Sequence, residues 1–188
     1  MSAEIRKRLF TVDECLRMEE AGILHPNERV ELIQGEILKM SPSGPRHGAA
    51  VDGTAKAAVL LAGDLAIVRV QGTVVLDQFF APMPDLTLLR PRDDFYAKSN
   101  PGPSDILLII EISDSSLEYD MNVKASLYAI IGIQEYWVAD LQNNRVMCHS
   151  QRVAGKDYHG TIHEFRRGET IAPQLLPDCR LKVDLLLP

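Results

Sequence analysis

Ile106-Leu107-Leu108-Ile109-Ile110-Glu111-Ile112-Ser113, followed by Asp120-Met121-Asn122-Val123-Lys124 and then by Glu135-Tyr136-Trp137-Val138-Ala139-Asp140, decides how this chain folds. The first segment is a nearly continuous aliphatic run interrupted only by Glu111, the pattern of a strand covered on both faces. A helix is predicted from about Asp120 to Ile131, closed by Gly132, and Glu135 to Asp140 reads as another strand. Strand, helix and strand in that order form a βαβ unit, which implies parallel pairing and a right-handed crossover. Leu141 to Asn144 then turns the chain back into an antiparallel strand from Arg145, so the predicted sheet is mixed.

Toward the N-terminus, Thr11-Val12-Asp13-Glu14 is a capping-box sequence that opens a short helix closed by Gly22. Arg29 to Met40 alternates apolar and polar residues about Gln34-Gly35 and reads as a β-hairpin. Ser41-Pro42-Ser43-Gly44-Pro45 is a loop by composition, and His47 onward is rich in helix-forming Ala and Leu. Ala66 to Val70, Thr73 to Leu76 and Asp85 to Leu89 are predicted strands, and the polar, proline-containing stretch Arg90 to Ser104 is a loop. Beyond Ser150, short strands are predicted near Gly160 to Phe165 and Thr170 to Ile171, and no internal repeat appears.

With 188 residues, the chain fits one domain with a substantial core. Its 46% hydrophobic and 24% charged residues are those of a globular protein, and no apolar run approaches the roughly 20 residues of a membrane helix. Met1 to Phe10 is charged and lacks the apolar centre of a signal peptide, so a cytoplasmic location is expected. Cys15, Cys148 and Cys179 lie far apart with no metal-binding spacing and are expected to be reduced packing residues. A net charge of −6 runs against nucleic-acid binding, which draws on basic surface. Basic residues nevertheless cluster at Arg6-Lys7-Arg8, at Arg90 and Arg92, and at Arg166-Arg167.

Glu111 is the chemical anomaly. A carboxylate inside an aliphatic strand must either lie at a sheet edge, solvated or paired, or be desolvated at a cost of several kcal/mol. Asp85 also borders an apolar strand, following Pro84, although Pro-Asp is equally a common turn element. Two carboxylates on neighbouring strands with an amine nearby can hold a hard divalent cation beside a phosphodiester. Asp120 and Lys124 share a helix face and could form a simple surface ion pair. In a βαβ unit, however, the first helical turns pass close to the end of the preceding strand, so Lys124 can reach Glu111.

These residues sit in stretches that resemble the Uma2 family, a branch of the PD-(D/E)xK, or restriction-endonuclease-like, superfamily. The matching segments are Val30 to Ile37, His47, Pro84-Asp85, Glu111-Ile112-Ser113 continuing to Asp120, Lys124 and Tyr128, Gly132 to Asp140, and Leu176 to Leu181. The resemblance covers nearly the whole chain. It implies an α/β restriction-endonuclease-like core, a central mixed sheet flanked by helices and preceded by the N-terminal helix and hairpin. It further implies a Mg²⁺- or Mn²⁺-dependent nuclease acting on DNA, with Asp85 and Glu111 as metal ligands and Lys124 as the third catalytic residue. The standard motif places a Lys two residues after the Glu; Ser113 stands there, and Lys124 supplies the amine instead. Glu31, His47 and Asp120 match positions of accessory residues, though Glu31 also fits an exposed hairpin position, His47 a helix-terminal one and Asp120 a helix cap. Tyr136 and Trp137 suggest base stacking, but Trp137, in a strand after a crossover helix, reads as a core residue. Such nucleases often act as homodimers, and the hairpin and Leu185 to Leu187 are the candidate interfaces. The competing reading is a catalytically inactive relative that serves as an interaction module, favoured by the net charge and by Ser113.

Overall fold

The computed structural model describes residues 7–25, 27–42 and 44–188; Met1 to Arg6, Pro26 and Ser43 lie outside the described residues, and with them part of the N-terminal reading, Arg6 of the first basic cluster and one position of the 41–45 loop. Thr11 caps α1 (Val12–Glu20) with the complete predicted capping box: its side chain accepts the Glu14 amide, and the Glu14 carboxylate accepts the Thr11 amide at 3.0 Å. The hairpin forms from β1 (Val30–Ile33) and β2 (Glu36–Lys39), turning through Gln34 (φ 52) and Gly35 (φ 76). Two positive φ values are what a tight type I′ turn requires.

Next comes α2 (Pro45–Ala62), started by Pro45 at a position whose amide needs no helical partner. It buries Ala50, Val51, Thr54, Ala58 and Ala62, small side chains that let the helix lie close to the sheet. The central sheet follows: β3 (Ile67–Val70), β4 (Leu86–Leu89), β5 (Ile106–Ser113), β6 (Tyr136–Asp140), β7 (Arg145–Arg152) and β8 (His159–Arg166), in the spatial order of that list. All neighbours are antiparallel except β5 and β6, whose parallel pairing realises the βαβ unit around α3 (Ala125–Ile131). The fold is therefore α/β with a mixed six-stranded sheet flanked by helices. The short strands β9 (Thr170–Ile171) and β10 (Leu181–Lys182) pair with each other and lead into α4 (Val183–Leu186).

β5 lies inside the sheet, and all eight of its residues are buried, which rules out the sheet-edge reading of Glu111. Alternation along β5 separates two apolar layers. Leu108, Ile110 and Ile112 face α2 and α4, whereas Ile109 packs with Tyr128, Tyr136 and Phe80 on the side of α3. Glu111 shares the side of Ile109, and thus points at the helix that carries Lys124.

Three expectations need correction. Thr73 to Leu76 forms no sheet ladder: the Val74 amide donates to Pro82 O at 3.0 Å and the Val75 amide to Pro101 O at 2.9 Å. The returning segment contains Pro82 and Pro84, which have no N–H to give back, so reciprocal strand pairing cannot develop there. The helix expected from Asp120 begins as π-helix over Tyr119–Lys124 and becomes α-helical only from Ala125. The Ala125 amide reaches back to Asp120 O, a carbonyl that also accepts the buried Tyr136 hydroxyl at 3.2 Å. Finally, Leu186 and Leu187 are buried in the core beneath α2, leaving only Leu185 of that trio partly exposed, so this segment is not a free interface. Cys15, Cys148 and Cys179 are free thiols, as expected, and among the described residues no helix is long and apolar enough to cross a membrane.

Candidate active site

The end of β5, the residue before β4, the first turn of α2, the hairpin and the π-helical turn converge on one cavity of about 580 Å³. Glu31, His47, Asp85, Glu111, Asp120 and Lys124, all six candidates from the sequence, line it together. Each reaches the cavity for a local reason. Period-two alternation turns Glu111 away from the α2 layer, and Asp85, just before β4 and after Pro84, is buried against β5 where it lines the cavity. Residues Asp120 and Lys124 project from the same side of the widened π-helical turn, a helix variant that recurs at functional sites.

Lys124 is the centre of the arrangement. Its Nζ donates to Glu111 Oε1 at 2.9 Å and to Glu31 Oε1 at 3.1 Å, and stands 3.8 Å from Asp120 Oδ1, with the side chain only 4% exposed. Glu31 is thus not an exposed hairpin residue; its Oε1 also accepts the Met83 amide at 2.8 Å, tying the hairpin to the segment before β4. Tyr128, one turn beyond Lys124, donates its hydroxyl to Glu111 Oε1 at 3.4 Å. Asp120 Oδ2 accepts the hydroxyls of Ser113 at 2.7 Å and Ser116 at 2.6 Å, so the serine in the usual lysine position serves to hold a carboxylate.

Asp85 is interlocked with β5. The Ile112 amide donates to Asp85 Oδ2 at 2.9 Å, while the Asp85 amide donates to Glu111 Oε2 at 3.3 Å. His47 Nε2 lies 3.0 Å from Asp85 Oδ2, and Gln71 donates to Oδ1 at 3.1 Å. Gln71 was legible only as a turn residue beside Gly72. Tyr128 stood within the matching stretch without a role, and its spacing of four from Lys124 was the available signal.

The electrostatics follow from burial. Burial would raise the Asp85 carboxyl, but His47, the Ile112 amide and Gln71 outweigh it and hold it below the ordinary value. The hydrogen bond to Asp85 lifts the His47 imidazole above its usual range, against burial and the Arg29 charge. Burial drives Glu111 well upward, opposed by Lys124 and reinforced by Asp120, Asp85 and Glu31. Burial likewise raises Asp120, against Lys124 and the two serines. Burial alone would lower Lys124, yet Glu111, Tyr128, Glu31 and Asp120 keep it well above its ordinary value. Three carboxyl groups, Glu31, Glu111 and Asp120, surround one firmly charged ammonium, with Asp85 beside Glu111, so carboxyl groups outnumber the ammonium in the cluster.

Among the described residues, none of the basic clusters lines this cavity; its cations besides Lys124 are Arg29 and Lys39. Lys7 pairs with Glu36, Arg92 with Asp94, Arg166 with Glu164 and Arg167 with Asp184, so the clusters do not merge into a positive groove. Among the described residues, no group of three or more His, Cys, Asp or Glu side chains is arranged to hold a metal ion on its own.

The chain is similar in fold to the crystal structure of a "putative nuclease belonging to DUF820" from Anabaena variabilis ATCC 29413, with a TM-score of 0.72 over 94% of this chain and 97% of that one, at 17% identity. No curated protein matches it. The sequence model of the Uma2 family, described as "Putative restriction endonuclease", matches residues 12–184. That match spans all the elements that build the cavity, and the chain belongs to the Uma2 family.

Proposed function

We propose that this chain is a metal-dependent endonuclease that hydrolyses DNA phosphodiester bonds in the cavity between the hairpin and the π-helical turn. The observation that carries the reading is the convergence of Glu31, Glu111 and Asp120 on the buried ammonium of Lys124, with Asp85 tied to Glu111 beside them through its backbone amide. Buried carboxylates in such excess are costly unless a further cation joins them. Among the described residues, Asp85 Oδ1 and Glu111 Oε2 each accept one hydrogen bond, leaving a lone pair apiece for a hard cation. Mg²⁺ binds through one or two carboxylates and keeps several waters, so a site with two open carboxylate oxygens fits it or Mn²⁺ without a third side chain. When bound there, the ion supplies Lewis acidity and a bound water of lowered pKa.

The remaining roles belong to the chain's own groups. Lys124 has three N–H donors and commits two, to Glu111 and Glu31. The third is free to meet the phosphoryl oxygen on which negative charge develops, an interaction that strengthens toward the transition state. The Ile112 amide, His47 and Gln71 fix the Asp85 carboxylate, leaving little to reorganise during reaction. Ser113 and Ser116 hold Asp120, which with Glu31 positions Lys124.

Cleavage of plasmid and short duplex DNA with Mg²⁺ or Mn²⁺, against an EDTA control, tests the proposal. Wild type should cut, and Asp85→Ala and Lys124→Ala should each lose about 10²–10³-fold in rate, the scale of removing one preorganised group. Activity indifferent to both substitutions sinks the reading. Ser113 in the lysine position and the net charge of −6 favour an inactive interaction module as the alternative; DNA binding with no cleavage in any divalent ion would select it.

A further inference from the structure

The loop between β4 and β5 spends conformational energy to display one aromatic ring. Phe95 (φ 49) and Tyr96 (φ 62) are consecutive non-glycine residues in the left-handed region, a disfavoured state that persists only where its surroundings impose it. Here they do. Arg92 grips Asp94 with two parallel hydrogen bonds and lies 3.9 Å above the Tyr96 ring centroid. Asp94 Oδ1 in turn accepts the Tyr96 amide at 3.2 Å, and the Phe95 amide returns to Arg92 O at 2.9 Å. The Tyr96 ring is buried and its hydroxyl donates to Arg90 O at 2.9 Å. Tyr96 thereby anchors the loop, while Phe95 is held outward at 71% exposure. Nothing in the core uses the Phe95 ring, so the clamp has no packing return at that position.

The surroundings of Phe95 suit a nucleic-acid strand. Arg90 and Lys98 are exposed, and neither enters an ion pair among the described residues; Arg90 commits only its Nε, to Ser104 O at 3.0 Å. Asp93 is the exposed carboxylate between them without an ion pair. From the sheet edge, Arg69 of β3 joins this loop, donating to Thr73 O at 3.0 Å and to Asn100 Oδ1 at 3.5 Å. Its side chain crosses Gly72 so closely that a Cβ there would lie 2.6 Å from Arg69 Cδ. Two residues further along the chain, just past the end of β3, Gln71 holds Asp85 in the cavity. The displayed ring and the acidic cavity are thus linked by one short stretch of backbone.

We propose that this loop is a second nucleic-acid contact, in which Phe95 stacks on an unpaired base of a single-stranded segment whose phosphates meet Arg90 and Lys98. It rests on the nuclease reading for the identity of the strand, and extends it by naming unpaired bases as the feature bound. Aromatic stacking on a base accounts for about 5- to 150-fold in affinity. The test is fluorescence anisotropy of a labelled single-stranded DNA oligonucleotide in EDTA, so that binding is read without cleavage. Phe95→Ala should weaken binding about 5- to 150-fold and Phe95→Trp should retain it, whereas on an oligonucleotide with abasic sites wild type and Phe95→Ala should bind alike. Arg90→Gln with Lys98→Gln should flatten the salt dependence by about two phosphate contacts. Phe95→Gly separates display from folding: it removes the strain, so it should raise Tm while binding weakly. Equal affinity of wild type and Phe95→Ala for the normal oligonucleotide overturns the proposal, as does failure of wild type to bind it. Plasmid cleavage, measured separately, decides the nuclease reading in either case.

Discussion

Replacing Lys124 with methionine removes the buried ammonium at the centre of the carboxylate cluster while keeping most of the side-chain volume. Two charge-assisted hydrogen bonds, at 2.9 Å to Glu111 and 3.1 Å to Glu31, are lost, and Asp120 loses its neighbouring charge at 3.8 Å. Removing one partner from a buried ion pair costs about 3–5 kcal/mol, because the remaining charge is left uncompensated. That is a large share of a total stability of about 5–15 kcal/mol. The loss should also depend on pH in a defined direction. Glu111 and Asp120 already sit above their ordinary values because of burial, and Lys124 is the group that restrains them. Without it, their folded-state pKa values rise further above those of the unfolded chain. A carboxyl whose folded pKa is raised holds a proton that the unfolded chain has released, so stability falls as pH rises through that window. The deficit of the variant is therefore larger at about pH 8 than at about pH 5, because acid lets the stranded carboxyls take up protons. Urea unfolding of both proteins at the two pH values measures it directly. A deficit below about 1 kcal/mol, or one of equal size at both pH values, refutes the claim that Lys124 neutralises buried carboxylates.

His149 gives an opposite pH signature in the core beyond the cavity: burial and then the His159 charge push it down to about 4. A histidine depressed from 6.5 costs stability as pH falls from about 6.5 toward 4, by up to about 3 kcal/mol, and His149→Leu should flatten that part of the profile while His159 leaves a residual slope. In the hairpin turn, Gly35→Ala should destabilise by about 2 kcal/mol or more, since a Cβ would stand 2.6 Å from Leu9 Cβ at a φ of 76. Gly22→Ala, at φ 70 with open space around it, should cost only about 1 kcal/mol, and equal losses in thermal unfolding would show that crowding at Gly35 is immaterial.

Local rules made much of this molecule legible. The capping box at Thr11, the Gln34-Gly35 turn and the aliphatic run of β5 depend on residues near one another in sequence, and each appears where its chemistry requires. The catalytic candidates were visible because a carboxylate in an aliphatic strand is anomalous wherever that strand sits. What escaped was set by distant partners. Glu31 was a candidate only through the family resemblance, and its contact with Lys124 across 93 positions was not legible, because no hairpin pattern distinguishes a buried Glu from an exposed one. Thr73 to Leu76 has strand-forming side chains, but its failure to pair is decided by prolines on the segment opposite it. The expected interface at Leu185 to Leu187 failed because an apolar terminal segment looks the same whether it awaits a partner or fills the space beneath α2.

The acidic composition and the site can be reconciled by where the charges lie. Most basic side chains outside the cavity that were candidates for a DNA groove are paired to carboxylates, so the −6 body offers little for an extended duplex backbone to grip. The cavity is different: its floor carries a carboxylate excess suited to a divalent ion, and Arg29 and Lys39 also line it. A ligand held this way gains more from one phosphate deep in the site than from many along a surface. If the cavity acts as proposed, its own contribution to affinity should depend on the divalent ion, whereas binding at the Phe95 loop, with about two phosphate contacts, should persist in EDTA with a shallow salt dependence. The displayed Phe95 fits that economy, because stacking adds affinity without requiring positive charge.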